Sequence, residues 1–297
     1  MRYCIDYIKT DGTEGSVTVE TAAERDLKTK EMLSDSNFSN VSYRAAYANG
    51  EYGKEKILKG TKYFCRADIH SFYDCLIEAL DKAGFDRNNP NHVFVHCGDL
   101  LDRGPDARKC LEFVNSLPRK ILIRGNHEDL LEHILFKKKY FDYYDFTNGT
   151  VDTISQISQI PYGTIDSFLQ HAMIEDCKND ETLKTYLDSV IDYAEIGNHI
   201  LVHGWIPISS ETDEDFVIDE WKTGDWEEAR WLNGMKMWKA GYIPEGKTIV
   251  CGHWGTMWGH KQYHNDFSYD AFIEKGIVAL DATTVLSEQI NVYTFRN

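Results

Sequence analysis

Gly98-Asp99-Leu100-Leu101-Asp102-Arg103-Gly104 sets two carboxylates and a guanidinium within five residues, directly after the apolar run 92–97. Carboxylates hold metal ions, and a guanidinium matches phosphate oxygens with parallel N–H donors. The same pattern, polar groups just after a short apolar run, recurs at Asp68 and His70, at Asn126 and His127, at His203 and at His253. Carboxylate, imidazole and amide oxygen without thiolate form a donor set suited to Mn, Fe or Zn. A carboxylate such as Asp99 can bridge two ions about 3.5–4 Å apart. Two ions make a nucleophile out of water, and no serine or cysteine here has the context of a nucleophilic side chain.

These groups share one surface only if the apolar runs are parallel strands. The runs are short, β-branched and aromatic, as buried strands are, and ligands of open α/β sheets bind beyond the carboxyl ends of the strands. Between them, residues 72–83 set Cys75, Leu76, Ala79 and Leu80 on one helical face. Pro105 opens a helix over about 106–117, and the strand 120–124 stops at Gly125-Asn126-His127-Glu128, where another helix begins. Alternating strands and helices predict βαβ crossovers and a largely parallel sheet. Strands return at 200–203, 248–253, 276–281 and 290–295, the last two resembling antiparallel closing strands at a sandwich edge.

Residues of about 136–196 break this rhythm and read as a helical insertion. Its run Tyr140-Phe141-Asp142-Tyr143-Tyr144 is expected to pack the insertion onto the sheet, the alternative being a substrate entrance. Residues 1–58 form a small N-terminal α+β extension. It has strands at 2–9 and 15–20 around Asp11-Gly12, a helix over 21–33 with Thr21 as N-cap and Glu24 three residues on, and a strand at 41–47. A stabilising or dimerising role fits it better than substrate docking.

The 297 residues, 42% of them apolar, suffice for one large α/β domain with an appendage. A net charge of -16 argues against binding of nucleic-acid duplexes or anionic membranes. A phosphorylated substrate would be repelled too, unless cations and arginines reverse the potential locally, which favours a metal-dependent site. The first residues show no secretory pattern and no apolar run nears the roughly 20 residues of a membrane span, so a soluble cytoplasmic protein is expected. The seven scattered cysteines include no CxxC pair and read as reduced core residues. The sequence leaves the oligomeric state open.

Taken in order, Asp68-x-His70, GDxxDRG at 98–104, Gly125-Asn126-His127-Glu128, His203-Gly204 and Gly252-His253 resemble the calcineurin-like metallophosphoesterase superfamily, over residues of roughly 60–297. The DRG and NHE runs are similar to its phosphoprotein phosphatase branch, of bacterial or phage type. The resemblance implies a four-layer α/β/β/α sandwich over residues 59–297. It implies one metal held by Asp68, His70 and Asp99, and a second by Asp99, Asn126, His203 and His253. Hydroxide bridging the two ions would attack phosphorus directly. His127 would be the general acid with Asp102 as its partner, and Arg103 would grip phosphate oxygens. A second phosphate-binding arginine is implied between the last two histidines, and Arg230 is the arginine of that stretch. The expected activity is hydrolysis of phosphate monoesters, with a phosphoprotein or a small phosphoester as substrate. A nucleotide hydrolase of the diadenosine-tetraphosphatase type is the alternative, and a catalytically silent protein-binding scaffold a more distant one.

Some positions depart from that pattern or lie beside it. Where the family usually has glycine after its first histidine this chain has Ser71, read as a cap for the following helix. The family's frequent second histidine near Gly252-His253 is absent; His260 and His264 read as solvated loop residues, with substitution for it as the alternative. Glu128 is either part of the site or a complement to the helix dipole. His96 is expected to pack or bond locally, Asp281 to support the ligands from behind, and Trp205 and Trp254 to wall the site or fill the core.

Overall fold

The computed structural model of the chain describes residues 3–19, 27–28, 31–32, 34–45, 60–161, 167–212, 215–217 and 221–296. Among them no helix is long and apolar enough to cross a membrane. In the extension, β1 (Tyr3–Lys9), β2 (Glu14–Val19) and β3 (Phe38–Ala45) form an antiparallel sheet in the order β2-β1-β3. Asp11-Gly12 makes the expected turn: Gly12 has φ +82° and the Asp11 carboxylate accepts the Thr13 N–H. Residues 27–28, 31–32 and 34 are helical, while Thr21 and Glu24 lie outside the described residues.

Beyond the extension, two sheets face each other. In the first, β4 (Lys62–Arg66), β5 (His92–Cys97) and β6 (Lys120–Ile123) run parallel, with β14 (Tyr293–Arg296) antiparallel on the outer edge of β4. The second has the order β12-β13-β11-β8-β7. Its strands β8 (His199–Leu201), β11 (Thr248–Cys251) and β13 (Ile277–Ala279) are parallel, flanked by antiparallel β12 (Phe272–Glu274) and β7 (Ala194–Ile196). The stretch 276–281 is therefore an interior parallel strand rather than a closing edge. The edge is β12, a three-residue strand too short to leave a period in the sequence.

The strands' two-residue period sorts their side chains between cores. Tyr63, Cys65, Val93, Val95, Ile121, Leu201, Val250 and Val278 fill the space between the sheets. Phe94 and Leu122 face the opposite way, into a core shared with helices α1 (Tyr73–Ala83), α2 (Ala107–Ser116) and α3 (Asn126–Lys137). Ile200, Ile249, Cys251 and Ile277 face a third core, beneath the chain around Trp226 and Met235. Helices, sheet, sheet and helices make the four layers.

The segment expected as an insertion folds into α4 (Tyr143–Thr147), α5 (Thr150–Ser158), α6 (Ser167–Asn179) and α7 (Glu181–Leu187). Ile154, Met173, Leu183 and Tyr186 share a core with Leu76 and Leu111, so these helices extend the first helical layer. They do so without the aromatic run. Tyr140, Tyr143 and Tyr144 are more than half exposed, and only Phe141 packs against that core.

Candidate metal centre

Parallel strands bring their carboxyl ends to one edge, and six of them deliver chemistry there. Asp68 and His70 follow β4, Asp99 follows β5, Asn126 and His127 follow β6, His203 follows β8, His253 follows β11 and Asp281 follows β13. The loops are tightly wound. Of the eleven non-glycine residues with positive φ among the described residues, seven are here: Asp68, His70, Ser71, Asp99, Asp102, Arg103 and His253. Each costs about 1–3 kcal/mol, which surrounding contacts must offset. Two glycines allow the loops to meet, since a Cβ at Gly125 would overlap an Asp99 carboxylate oxygen and one at Gly252 the Asp68 carboxylate.

Asp99 lies at the centre. Its Oδ2 is 3.3 Å from His203 Nε2, 3.9 Å from His127 Nε2 and 4.0 Å from His70 Nε2, while its Oδ1 accepts the His127 N–H at 3.0 Å. Two groups of donor atoms, each within 4.8 Å of one another, share it: His70, Asp99 and His127, and Asp99, His203 and His253. Asn126 Oδ1 stands 2.8 Å from His203 Nε2. His70 Nδ1 is tied to the Leu101 carbonyl at 3.0 Å and His203 Nδ1 to that of Cys97 at 2.8 Å, which turns both Nε2 atoms toward Asp99. Asp68 belongs to neither group: its carboxylate accepts the His253 N–H at 3.0 and 3.2 Å.

The protonation pattern fits a site built for cations. Burial and the neighbouring Asp281 push the Asp68 carboxyl well above its usual range. Burial also raises Asp281, to about 6. Burial acts against the charged form of Asp99 as well, but His203 and His127 hold its carboxyl well below the ordinary value. His203 is driven up to about 10, Asp99 overcoming the effect of burial, whereas burial and the charge of His203 push His253 down to about 3. Of the three buried carboxyls only Asp99 is held ionised, by imidazolium charge, while burial favours the neutral forms of Asp68 and Asp281. Divalent cations among the same oxygen and nitrogen donors would supply that charge directly.

A model of the calcineurin-like phosphoesterase family matches residues 62–279. This chain belongs to that family. Over 62 residues it is 45% identical to the symmetrical bis(5'-nucleosyl)-tetraphosphatase of Aeromonas salmonicida, covering 20% of this chain and 22% of that protein. Over 63 residues it is 36% identical to serine/threonine-protein phosphatase 1 of Salmonella typhimurium, covering 21% of this chain and 28% of the other. The chain thus spans less than a third of the length of either curated relative. It also resembles the cold-active protein-tyrosine phosphatase of a psychrophilic Shewanella species, at 15% identity and a TM-score of 0.47, over 98% of this chain and 93% of the other.

His127 sits between two acids. Its Nδ1 is 2.7 Å from Asp102 Oδ2, and its Nε2 faces Asp99 and an Arg103 Nη2 at 3.0 Å. Burial opposes its protonation, but Asp99 and Asp102 raise its pKa above that of free imidazole. The other Arg103 Nη lies 3.0 Å from His70 Nε2, so the exposed Arg103 spans both rings at the mouth of the site. Asp102 is fully buried. Thr150 donates to its Oδ2 and Thr153 to its Oδ1, each at 2.7 Å, and the Thr153 hydroxyl accepts the Asp102 N–H. Sequence reasoning did not single out these threonines: two hydroxyls in the first turn of a helix look like any other cap, and only the packing of α5 brings them to Asp102.

Glu128 belongs to the scaffold of the site. Its carboxylate accepts the N–H groups of Asp99, Leu100 and Gly125 and the Tyr186 hydroxyl, joining the loops after β5 and β6 to the helical layer. Arg230 lies behind Gly204, and both of its Nη groups are bonded to carboxylates. Asp129 takes one of its Nη groups at 2.8 Å and Asp192 the other, because α3 and the chain before β7 turn both carboxylates toward it. His260 and His264 bond to the Asp270 carbonyl and to Glu274, away from the donor groups. His96 is buried in the sheet with neither ring nitrogen bonded, and Trp205 is wholly core. Trp254 alone of the two expected wall residues reaches the site, with its ring centroid 6.5 Å from that of His253.

Ser71 does not cap the helix after it. Phe72 holds the N-cap position, Ser71 has φ +62°, and its buried hydroxyl has no partner. Ser71→Gly relieves both defects and is expected to raise stability by about 1 kcal/mol in urea unfolding; an unchanged midpoint would contradict the strain argument. Thr153→Val strips Asp102 of a donor and leaves its N–H unbonded. It is expected to cost about 2 kcal/mol and to lower kcat without loss of bound metal, checked by unfolding, steady-state kinetics and metal analysis.

Proposed function

We propose that this chain is a dinuclear-metal-dependent phosphatase of the cytoplasm that hydrolyses phosphate monoesters, with residues 59–297 as its catalytic domain and 1–58 as an extension. The observation that carries this reading is one buried carboxylate, Asp99, shared by two groups of metal-type donors. Asp68, His70 and Asp99 would hold one cation, and Asp99, Asn126, His203 and His253 the other. Manganese is the first choice for this donor set, iron or zinc the next. What such a pair supplies is activation of water and neutralisation of phosphate charge. A cytoplasmic location fits the unpaired core thiols of Cys65, Cys97, Cys110, Cys177 and Cys251.

The chain's own groups do the rest. Arg103, across the mouth, takes the peripheral phosphate oxygens with its two Nη groups. His127 gives its Nε2 proton to the departing oxygen, with Asp102 fixing the ring through Nδ1 and stabilising its charged form. Thr150 and Thr153 fix Asp102 in turn, and Glu128 keeps the Asp99 and Gly125 loops in register. Arg230, bound to Asp129 and Asp192, would have to release one of them to serve as the second phosphate-binding arginine.

Serine/threonine phosphoprotein is the leading substrate class, from the DRG and NHE runs. Nucleotide hydrolysis is the second reading, favoured by the 45% identity to a tetraphosphatase over 62 residues. A panel of phosphopeptides, p-nitrophenyl phosphate, cyclic nucleotides and diadenosine polyphosphates with Mn separates the two. Protein that carries no transition metal and shows no Mn-stimulated release from any of them would overturn the phosphatase reading.

Asp99→Asn is expected to abolish turnover and to lower metal content; near-normal activity with two metals bound would remove Asp99 as the shared ligand. His127→Asn is expected to keep its metals and lose roughly 10²–10⁴-fold in kcat, most severely for poor leaving groups. An equal loss for every leaving group would rule out the acid role.

A further inference from the structure

Two large aromatic side chains at the His253 end of the centre take no part in the chemistry above. Trp231 is 48% exposed and Trp254 39%. The Trp231 ring stands edge-on to the His253 imidazole, with centroids 5.6 Å apart, and the Trp254 ring lies 6.5 Å from the same imidazole. His70 and His203 are buried, whereas His253 is partly exposed, so the site opens on this side. Arg103 borders the opening over His70 and His127, and Asp99 lies between that arginine and the two indoles.

The Trp254 indole is held in place despite its exposure, and Trp231 sits on an anchored stretch of backbone. Trp254 meets Trp258 edge-to-face at 5.9 Å, Trp258 meets Tyr263 at 5.6 Å, and Tyr263 meets Trp238 at 5.8 Å, a chain of rings that ends in the third core. Trp231 follows Arg230, whose guanidinium is fixed by Asp129 and Asp192, and its backbone N–H bonds the Glu228 carbonyl at 3.0 Å. Indoles partly open to solvent, adjacent to polar groups that converge on one point, are typical of ligand sites. A phosphoester that sets its phosphate against Arg103 has to send its organic group out through the mouth these rings border.

We propose that Trp231 and Trp254 form an aromatic binding wall, and that the preferred ester carries a planar aromatic ring close to its phosphate. The ring is a nucleobase or the side chain of phosphotyrosine, both of which present a π face to indole. This inference rests on the phosphatase reading and, within it, departs from the serine/threonine class by placing an aromatic ester at the same site.

The test uses the full chain loaded with Mn and inhibitors that cannot be hydrolysed. Phenylphosphonate is expected to bind roughly tenfold more tightly than cyclohexylphosphonate, which has similar bulk and no π face. Trp254→Leu and Trp231→Leu should each shrink that ratio toward one, while Trp254→Phe keeps most of it and guards against a folding defect. Equal affinities in the wild type, or a ratio that the leucine variants leave intact, would overturn the proposal. Comparing adenosine 5'-monophosphate with ribose 5-phosphate, and phosphotyrosine with phosphoserine, identifies the source: the pair whose preference the leucine variants abolish is the natural one, and no preference in either pair again overturns the wall. Calorimetry with phenylphosphonate reads the wall even without turnover. Metal-loaded protein inert to every phosphoester would sink the phosphatase reading alone, and turnover without aromatic preference the wall alone.

Discussion

A carboxylate with 2% of its residue surface exposed, and three imidazole Nε2 atoms within 4.0 Å of one of its oxygens, is the constraint on which the rest of this molecule is built. An isolated buried charge is too costly to keep, so Asp99 requires compensating groups from every direction. No single loop can provide them. Parallel strands in two facing sheets can, because their carboxyl ends share one edge of the sandwich, and β4, β6, β8 and β11 each deliver a partner there. The four-layer arrangement buries both faces of those sheets and makes the shared edge stable.

Tight loops follow from the same constraint. Bringing Asp68, His70, Asp99, Asp102, Arg103 and His253 so close puts each of them in the left-handed region, where a Cβ is unfavourable. The offset comes from a shell of hydrogen bonds that leaves the site little freedom. Glu128 collects three backbone N–H groups, and the threonines of α5 close on Asp102. The insertion therefore supplies part of the site's framework. Tyr186 and Thr153 connect the helical layer directly to Glu128 and Asp102.

Legibility varied with how local each feature is. The strand ends carrying Asp99, His203 and His253 could be read because an apolar run followed by a polar residue is a pattern of a few positions. β12 was missed, since three residues leave no period. Ser71 was misread as a cap, because its left-handed backbone follows from the loop's closure against Leu100 rather than from its own propensity. The run of Tyr140, Tyr143 and Tyr144 has the composition of a buried seam and lies mostly in solvent. Apolar content does not state which face of a short helix finds a neighbour.

By itself the sequence determined which donors exist, their order along the chain and their places after apolar runs. From these come the fold class and the family, because those properties belong to stretches of fewer than ten residues. Only the tertiary structure decided the contacts themselves: that Asp68 turns to the His253 N–H, that Arg230 goes to Asp129 and Asp192, and that Trp231 joins Trp254 beside His253. Apart from the neighbours His253 and Trp254, these contacts join residues 22 to 185 positions apart, and the packing of whole layers sets them.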